Sequence, residues 1–438
     1  MRRLYTTIFY VLTPFIILRL YWKSRHIPAY RHRILERFAL GKGLSPQVDI
    51  WIHAVSLGEV IAAIPLIDAL LAKQWRVLVT TMTPTGSQRV IARFGEQVKH
   101  QYVPYDLPWV LRRFFKKTKP RIGIIMETEL WPNMIDQAQR MNIPLLIANA
   151  RLSDHAFKQY QKMHFFFQPI LKKISCILAQ SDEDAQRFIA LGAPVAVVSV
   201  CGNVKFDLQT QGINSSHFMQ FKEAWGSQRP VIIAASTHDG EEQQWLSQLK
   251  HLNAAIPDLL LLIAPRHPER FQTVYQMSLG HGHNTALRSH LKTIDVQTEV
   301  VIIDSLGELL GFYQLSDYAF VGGSLIPIGG HNVLEPIAMG VPVFTGPYMH
   351  NSKSICQDLC AAGAMQLADN MDMLVASLIN MHCQQSQRDQ QIANANAVLE
   401  ANKGCVQRHM ERIGLISGLM VQDEADPADK PREVGSRG

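Results

Sequence analysis

Short apolar runs, each closed by small polar residues and followed by a stretch of helical periodicity, recur along this chain and leave few folds open to it. Val48 to Val55 ends in Ser56-Leu57-Gly58-Glu59 and leads into a helical pattern from Val60 to Lys73. The same strand, loop, helix rhythm returns at Trp75 to Thr80 and at Ile122 to Met126, and further apolar runs are Pro144 to Ala148, Ser175 to Ala179 and Ala193 to Val200. After a polar lapse between Asp207 and Arg229 the plan repeats with Val231 to Ala235, Leu259 to Ala264, Val300 to Ile303, Tyr318 to Val321 and Val341 to Phe344. Alternation of this kind implies parallel sheets with helices on both faces, and 438 residues are too many for one core. The expected fold class is α/β, two Rossmann-like domains facing across a cleft, with ligands beyond the carboxyl ends of the strands.

Charge is more informative by position than by sum. Residues 1–37 carry eight Lys or Arg against Glu36 alone, a balance of +7 beside +6 for the whole chain. That excess flanks the apolar run Leu4 to Leu18 rather than a folded face, which argues against nucleic acid and for a membrane anchor. Fifteen residues, with Pro14 among them, fall short of the roughly 20 that cross a bilayer, so the anchor either spans with Arg19 snorkelling or lies partly inserted. No small-x-small cleavage site follows, and Tyr21, Trp22, Lys23 and Arg25 suit the headgroups of an anionic cytoplasmic leaflet, with the main body on the cytoplasmic side. Six scattered cysteines without zinc-finger spacing imply a reduced compartment and no structural metal. The expected divisions are an anchor and basic interfacial segment over 1–37, an N-terminal Rossmann-like domain over 38–207, a linker over 208–229, a C-terminal Rossmann-like domain over 230–422 and a disordered tail over 423–438.

The densest chemistry lies in Gly322-Gly323-Ser324, Gly329-Gly330-His331-Asn332 and Glu335, between the run at Tyr318 and that at Val341. Glycines let backbone N–H groups approach a ligand, and the helix start expected at Val333 adds donors and a positive dipole end that suit a phosphate. The spacing is not the dinucleotide G-x-G-x-x-G, which disfavours NAD chemistry. Glu335 suits ribose hydroxyls; the alternative is that Asn332-x-x-Glu335 is a capping box, and the two roles are compatible.

Four further constellations close strands. In His53-Ala-Val-Ser56-Leu-Gly58-Glu59 the helix dipole holds the Glu59 carboxylate ionised, fit to accept a proton from an attacking hydroxyl once substrate desolvates it; Ser56-x-x-Glu59 is equally a capping box. Glu127 and Glu129 point the same way if extended geometry persists, one to orient an acceptor and the other to cap the Trp131 helix. Such a pair also suits magnesium, but a glycine-rich helix start stabilises charge without it, so no metal and no cofactor are expected. Ser236 and Thr237, with Arg266 after the next strand, are what a phosphate or carboxylate needs, Arg270 being a weaker choice and His267 an ordinary loop residue. Arg151 and Lys205 each bring a cation among small polar residues, for an acidic sugar, an acceptor phosphate or nearby carboxylates.

Together these motifs resemble the bacterial 3-deoxy-D-manno-octulosonate (Kdo) transferases that act on the lipid A precursor, and the resemblance runs from the N-terminal anchor to Gly346. It implies a GT-B glycosyltransferase that moves Kdo from CMP-Kdo to a lipid A precursor, lipid IVA, at the inner leaflet of the bacterial cytoplasmic membrane. It further implies Glu59 as general base of an inverting displacement and Arg266 with the helix start after Gly329-Gly330 on the CMP phosphate. Asn332 and Glu335 would hold the nucleotide, Glu127 or Glu129 the acceptor, and Lys205 or Arg151 the acidic sugar or acceptor phosphates. Two other classes fit the same architecture. A nucleotide-sugar epimerase has no use for the anchor, and a membrane-anchored nucleotide sensor has no use for the Glu59 base.

Overall fold

The computed structural model describes residues 2–25, 27–41, 48–207 and 215–419. These form two compact units, residues 1–207 with the segment from 402 onward, and residues 208–401. Residues 208–214 of the expected linker and the expected tail 423–438 lie outside the described residues.

The first unit carries a seven-stranded sheet of β1 (Ile50–His53), β2 (Val77–Thr81), β3 (Lys99–Tyr102), β4 (Ile122–Met126), β5 (Leu145–Ala150), β6 (Cys176–Ala179) and β7 (Val198–Val200), in the order β3-β2-β1-β4-β5-β6-β7. Every pairing is parallel. Residues Ile50–His53 and Ile122–Met126 are buried throughout, which is why both strands read as unbroken apolar runs rather than as alternation. One face packs Trp51, Ile125 and Ile147 against Phe114, Phe115, Met134 and Ile135 of the flanking helices. The other packs Ile52, Ile124 and Leu146 against Ala63, Leu66 and Ile67 of the helix Leu57–Ala72. Gly123 is a strand glycine for a packing reason: a Cβ there would stand 2.7 Å from the Trp51 ring and 2.6 Å from Leu145.

The second unit repeats the plan with β8 (Val231–Thr237), β9 (Leu260–Pro265), β10 (Thr285–Leu287), β11 (Val300–Ile302), β12 (Tyr318–Val321), β13 (Val343–Thr345) and β14 (Gln366–Leu367), in the order β10-β11-β9-β8-β12-β13-β14, again all parallel. In each sheet the direction of winding reverses once, between β1 and β4 and between β8 and β12. Those two reversals are where an open α/β sheet leaves a crevice for a ligand.

Two boundaries differ from those read in the sequence. Residues Ser215–Trp225, expected as linker, form a helix whose Phe218, Phe221 and Trp225 are buried in the second unit's core. The polar residues before it masked that apolar spacing of three and four. Residues from Asn402 onward, expected in the C-terminal domain, belong to the first unit, where Cys405, Met410 and Ile413 join its core.

The N-terminal helix, Arg2–Lys23, is the one helix among the described residues long and apolar enough to cross a membrane. One side rests on the first unit: Arg2 pairs with Asp136, the Thr6 hydroxyl donates to Asn133 Oδ1 at 2.9 Å, and Phe9, Ile16, Ile17 and Leu20 pack on the core. Leu4, Ile8, Val11, Phe15, Leu18 and Trp22, all exposed, recur at steps of three and four and so form a stripe on the opposite side.

Candidate functional site

In the first unit the polar residues gather beyond β1, β4 and β5. Ser56 caps the helix Leu57–Ala72, its Oγ accepting the Glu59 N–H at 3.3 Å, while its hydroxyl donates to Glu59 Oε1 at 2.8 Å and the Val55 N–H donates to Glu59 Oε2 at 2.9 Å. The Ser56 cap is therefore present, with Glu59 reaching back to the Val55 N–H instead of the Ser56 N–H of a full capping box, and these bonds orient both oxygens of a carboxylate that is only 7% exposed. Burial, then the Glu129 charge, push Glu59 up to about 8 against the Ser56 and Val55 hydrogen bonds, with Glu127 adding a smaller push. The sequence reading expected the helix dipole to keep this group ionised until substrate covered it; desolvation already dominates in the folded chain.

Glu127 follows β4 in the left-handed region, φ 56°, and is fixed there by its N–H to the Ala148 carbonyl at 3.0 Å and by an ion pair from Lys205 Nζ at 3.2 Å. Glu129 accepts the Trp131 indole N–H at 2.7 Å and is raised by burial. His53, fully buried, sets its ring edge against Trp131 with centroids 4.9 Å apart; its Nδ1 meets Thr80 Oγ1 at 3.3 Å and its Nε2 has no hydrogen-bond partner. Burial holds this imidazole at about 3, so it is neutral packing behind Trp131 rather than a base. Asn149, also left-handed at φ 52°, accepts the Val204 N–H at 3.1 Å and so carries the loop that bears Lys205. The Arg151 carbonyl accepts the Thr128 hydroxyl, and the Arg151 guanidinium makes no hydrogen bond or ion pair among the described residues. Lys205, Glu127 and Glu129 are thus brought together with Glu59, and Arg151 is tied to them through Thr128.

The second unit gathers its polar residues beyond β8, β9 and β12, but it uses some of the expected ligand donors for itself. The Glu241 carboxylate, fully buried, accepts four backbone N–H groups: Gly323 and His238 on Oε2 at 2.8 and 3.0 Å, Ser324 and Leu325 on Oε1, each at 3.0 Å. Burial raises this carboxyl against those four bonds. The loop after β12 is therefore held by an internal anion where the sequence suggested a ligand's. Gly329 and Gly330 donate to the Gly323 carbonyl at 3.1 and 2.8 Å, so their own N–H groups are engaged within the loop. Their lack of a side chain serves packing, since a Cβ would meet Asn351 at 2.4 Å from Gly329 and Met349 Sδ at 2.0 Å from Gly330. The Thr237 hydroxyl is likewise occupied, donating to buried Glu242 at 3.1 Å.

Ser236 and Arg266 stay available. Ser236 takes a left-handed φ of 55°, and its hydroxyl makes no hydrogen bond among the described residues. Arg266 is exposed; its backbone N–H bonds Thr237 O at 2.9 Å while its guanidinium has no hydrogen-bond partner among the described residues. Arg270, by contrast, pairs with Asp239 at 2.9 Å and Glu242 at 3.3 Å. Asn332 bridges the helix Leu334–Ala338, accepting the Leu334 N–H at 3.1 Å and donating to Glu335 Oε1 at 3.0 Å. Burial raises Glu335, opposed by that bond and by the Arg266 charge. Sequence reasoning missed Glu241 and the ring contacts of His238, His267 and His331, whose centroids are 5.3 and 5.1 Å from one to the next. Only the Glu-Glu pair at the start of the helix Glu241–Ala255 hinted at the former.

The fold is shared with MurG of Acinetobacter baumannii, at a TM-score of 0.51 and 12% identity over 85% of this chain and 99% of that one. Two parallel-sheet α/β units of this kind, each with a polar cluster where its winding reverses, make the GT-B fold. Residues 32–208 match the family described as 3-deoxy-D-manno-octulosonic-acid transferase (kdotransferase). A 3-deoxy-D-manno-octulosonic acid transferase of Haemophilus influenzae is 39% identical over 419 residues, 94% of this chain and 97% of its own, and one of Bordetella pertussis is 33% identical over 375 residues, 83% and 86%. The chain belongs to the Kdo transferase family.

Proposed function

We propose that this protein transfers Kdo from CMP-Kdo to a sugar hydroxyl of a lipid A precursor, lipid IVA, in lipopolysaccharide core assembly, with Glu59 as general base. The observation that carries the reading is the Glu59 carboxylate itself, buried beside the sheet's point of reversal, aimed by Ser56 and Val55, and lifted to about 8. A carboxylate with that basicity accepts a hydroxyl proton far better than a solvated one. The acceptor oxygen bonds to the anomeric carbon as the bond from that carbon to the CMP phosphate oxygen breaks. Glu59 takes the hydroxyl proton, and CMP departs with the bonding pair. One displacement of this kind inverts the configuration.

Glu127 and Glu129 orient the acceptor, and Lys205 and the unpartnered Arg151 guanidinium receive the acidic sugar or the acceptor's phosphates. In the second unit the Ser236 hydroxyl and Arg266 meet the donor's phosphate, and Glu335, with Asn332 bonded to it, meets the ribose. Thr237, Gly329 and Gly330 shape this surface, their hydroxyl and N–H groups being bonded within the unit. The outward apolar stripe of the helix Arg2–Lys23, with exposed Arg3, Arg19 and Arg25, supports attachment to the anionic leaflet of the bacterial inner membrane, the catalytic units lying on its cytoplasmic side. The test is mass spectrometry of lipid IVA after incubation with detergent-purified protein and CMP-Kdo. Mass increments of Kdo that vanish in Glu59→Gln support the reading, and no increment from folded protein that binds CMP refutes it.

A further inference from the structure

Three histidines stand beside the glycine-rich loop of the second unit, and the reaction as derived uses none of them. His238 follows β8 and His331 follows the loop after β12; their Nε2 atoms are 2.8 Å apart and their ring planes differ by 3°. One hydrogen fills that bond, so a neutral pair has one ring donating through Nε2–H with a bare Nδ1, and one ring accepting at Nε2 with an Nδ1–H. Neither Nδ1 has a hydrogen-bond partner among the described residues, and neither is counted with the buried polar atoms that lack one, so both reach solvent. Gly323 leaves room for the pair: at φ +67° it has no side chain, and a Cβ there would press on His331 Cδ2 at 3.2 Å and His238 Cδ2 at 3.4 Å.

The acids around the pair are engaged elsewhere, Asp239 and Glu242 on Arg270 and Glu269 beside His267. His267 stands edge-on to His238, and Arg266 and Arg270 lie near enough to oppose its protonation. Glu241 accepts the His238 backbone N–H and has both oxygens occupied by N–H donors. Burial first, then these neighbours, hold His238 below the ordinary imidazole value and His331 at about 4. A free pair is therefore neutral at pH 7 and shows an anion one donor and one lone pair. The phosphomonoester of CMP, largely a dianion at pH 7, supplies the missing opposite charge, which at close range raises an imidazole by about 1–3 units.

Resting on the reading that this surface receives the nucleotide donor, we propose that His238 and His331 form part of its phosphate site and take up one proton from solvent when that site holds the phosphomonoester of CMP, the leaving group, turning both Nδ1 atoms into donors. Calorimetry of CMP binding to the full-length protein in detergent, at pH 7 in buffers of different ionisation heat, counts the protons gained. The expected uptake is about half a proton or more per CMP, because free CMP is already largely a dianion at that pH. In His238→Gln and His331→Gln the uptake falls close to zero and affinity drops by about tenfold, as glutamine keeps an N–H but does not titrate. CMP binding by the native protein without proton uptake overturns the proposal and leaves the nucleotide site standing. Uptake unchanged in both variants overturns it equally. No CMP binding by folded native protein removes the nucleotide site and the proposal together. The native measurement decides even where a variant does not fold.

Discussion

Replacing Glu59 with Gln should stabilise the protein while abolishing its reaction, and the structure fixes how the stabilisation depends on pH. The side chain moves from 4.5 when unfolded to about 8 when folded, through burial and the Glu129 charge. A raised carboxyl is protonated in the folded state while the unfolded chain is already ionised, so the unfolded state binds fewer protons between those values and stability falls as pH rises through that window. At pH 4 both states hold the proton and the cost is near zero; at pH 7 it is on the order of 3 kcal/mol, levelling off above pH 8. Glutamine is isosteric, can still accept the Val55 N–H, and does not titrate. The difference between variant and native protein should thus grow by about 3 kcal/mol from pH 4 to 7, or about 6–12 °C in the unfolding temperature of a unit this size. Carboxylates remote from Glu59 cancel in the difference, and Glu129 and Glu127, which share its field, are eased in the variant as well. The assay is thermal unfolding followed by tryptophan fluorescence of the first unit, where Trp51 and Trp131 lie, run in parallel with Kdo transfer by mass spectrometry. Transfer should fall at least about 100-fold in the variant. Two stability curves that run parallel across pH would refute the burial argument, and undiminished transfer would refute the base.

Arg266 and Arg270 should part company: Arg266→Ala should weaken CMP binding about tenfold or more with unfolding unchanged, whereas Arg270→Ala should cost on the order of 3 kcal/mol by stranding buried Glu242, as chemical denaturation would record. Glu241→Gln turns an amide NH2 towards two of the four N–H donors and should cost on the order of 3 kcal/mol, with a raised KM for the CMP-Kdo donor; an unaltered KM would confine Glu241 to folding. Phe15→Asn with Leu18→Asn alters only the outward stripe and should lower partition onto anionic vesicles about 100-fold by flotation, leaving CMP binding intact. Unchanged flotation would exclude the stripe as the membrane-facing surface.

The sequence disclosed what depends on neighbours along the chain. β1, β4, β8, β9 and β12 are buried on both faces and so announced themselves as apolar runs, while Lys99-His100-Gln101-Tyr102, Thr285–Leu287 and Gln366–Leu367 did not. All three are strands at the edges of their sheets, the first polar and the others two or three residues long. Glu59 was legible because its cap and its strand are local. Its high pKa was not, since Glu129 arrives from a strand some seventy residues on. Glu241 was opaque for the same reason: its partners at Gly323, Ser324 and Leu325 are more than eighty residues away. The packing at Gly329 and Gly330 was not legible, because a glycine that admits a ligand and one that admits Met349 or Asn351 look alike in sequence.

The segment from Asn402 onward makes the second unit an insertion within the first, and that orders events during synthesis. Buried His409 accepts the Asn149 N–H at 3.1 Å, and the Asp207 carboxylate accepts the Gly404 and Val406 N–H groups at 3.2 and 2.7 Å. The end of β5 that bears Asn149 thus waits for a histidine translated 260 residues later. A nascent chain can complete the second unit while the first is still missing a helix, so translation arrested before residue 402 leaves the first unit unfinished however long it has been out of the ribosome.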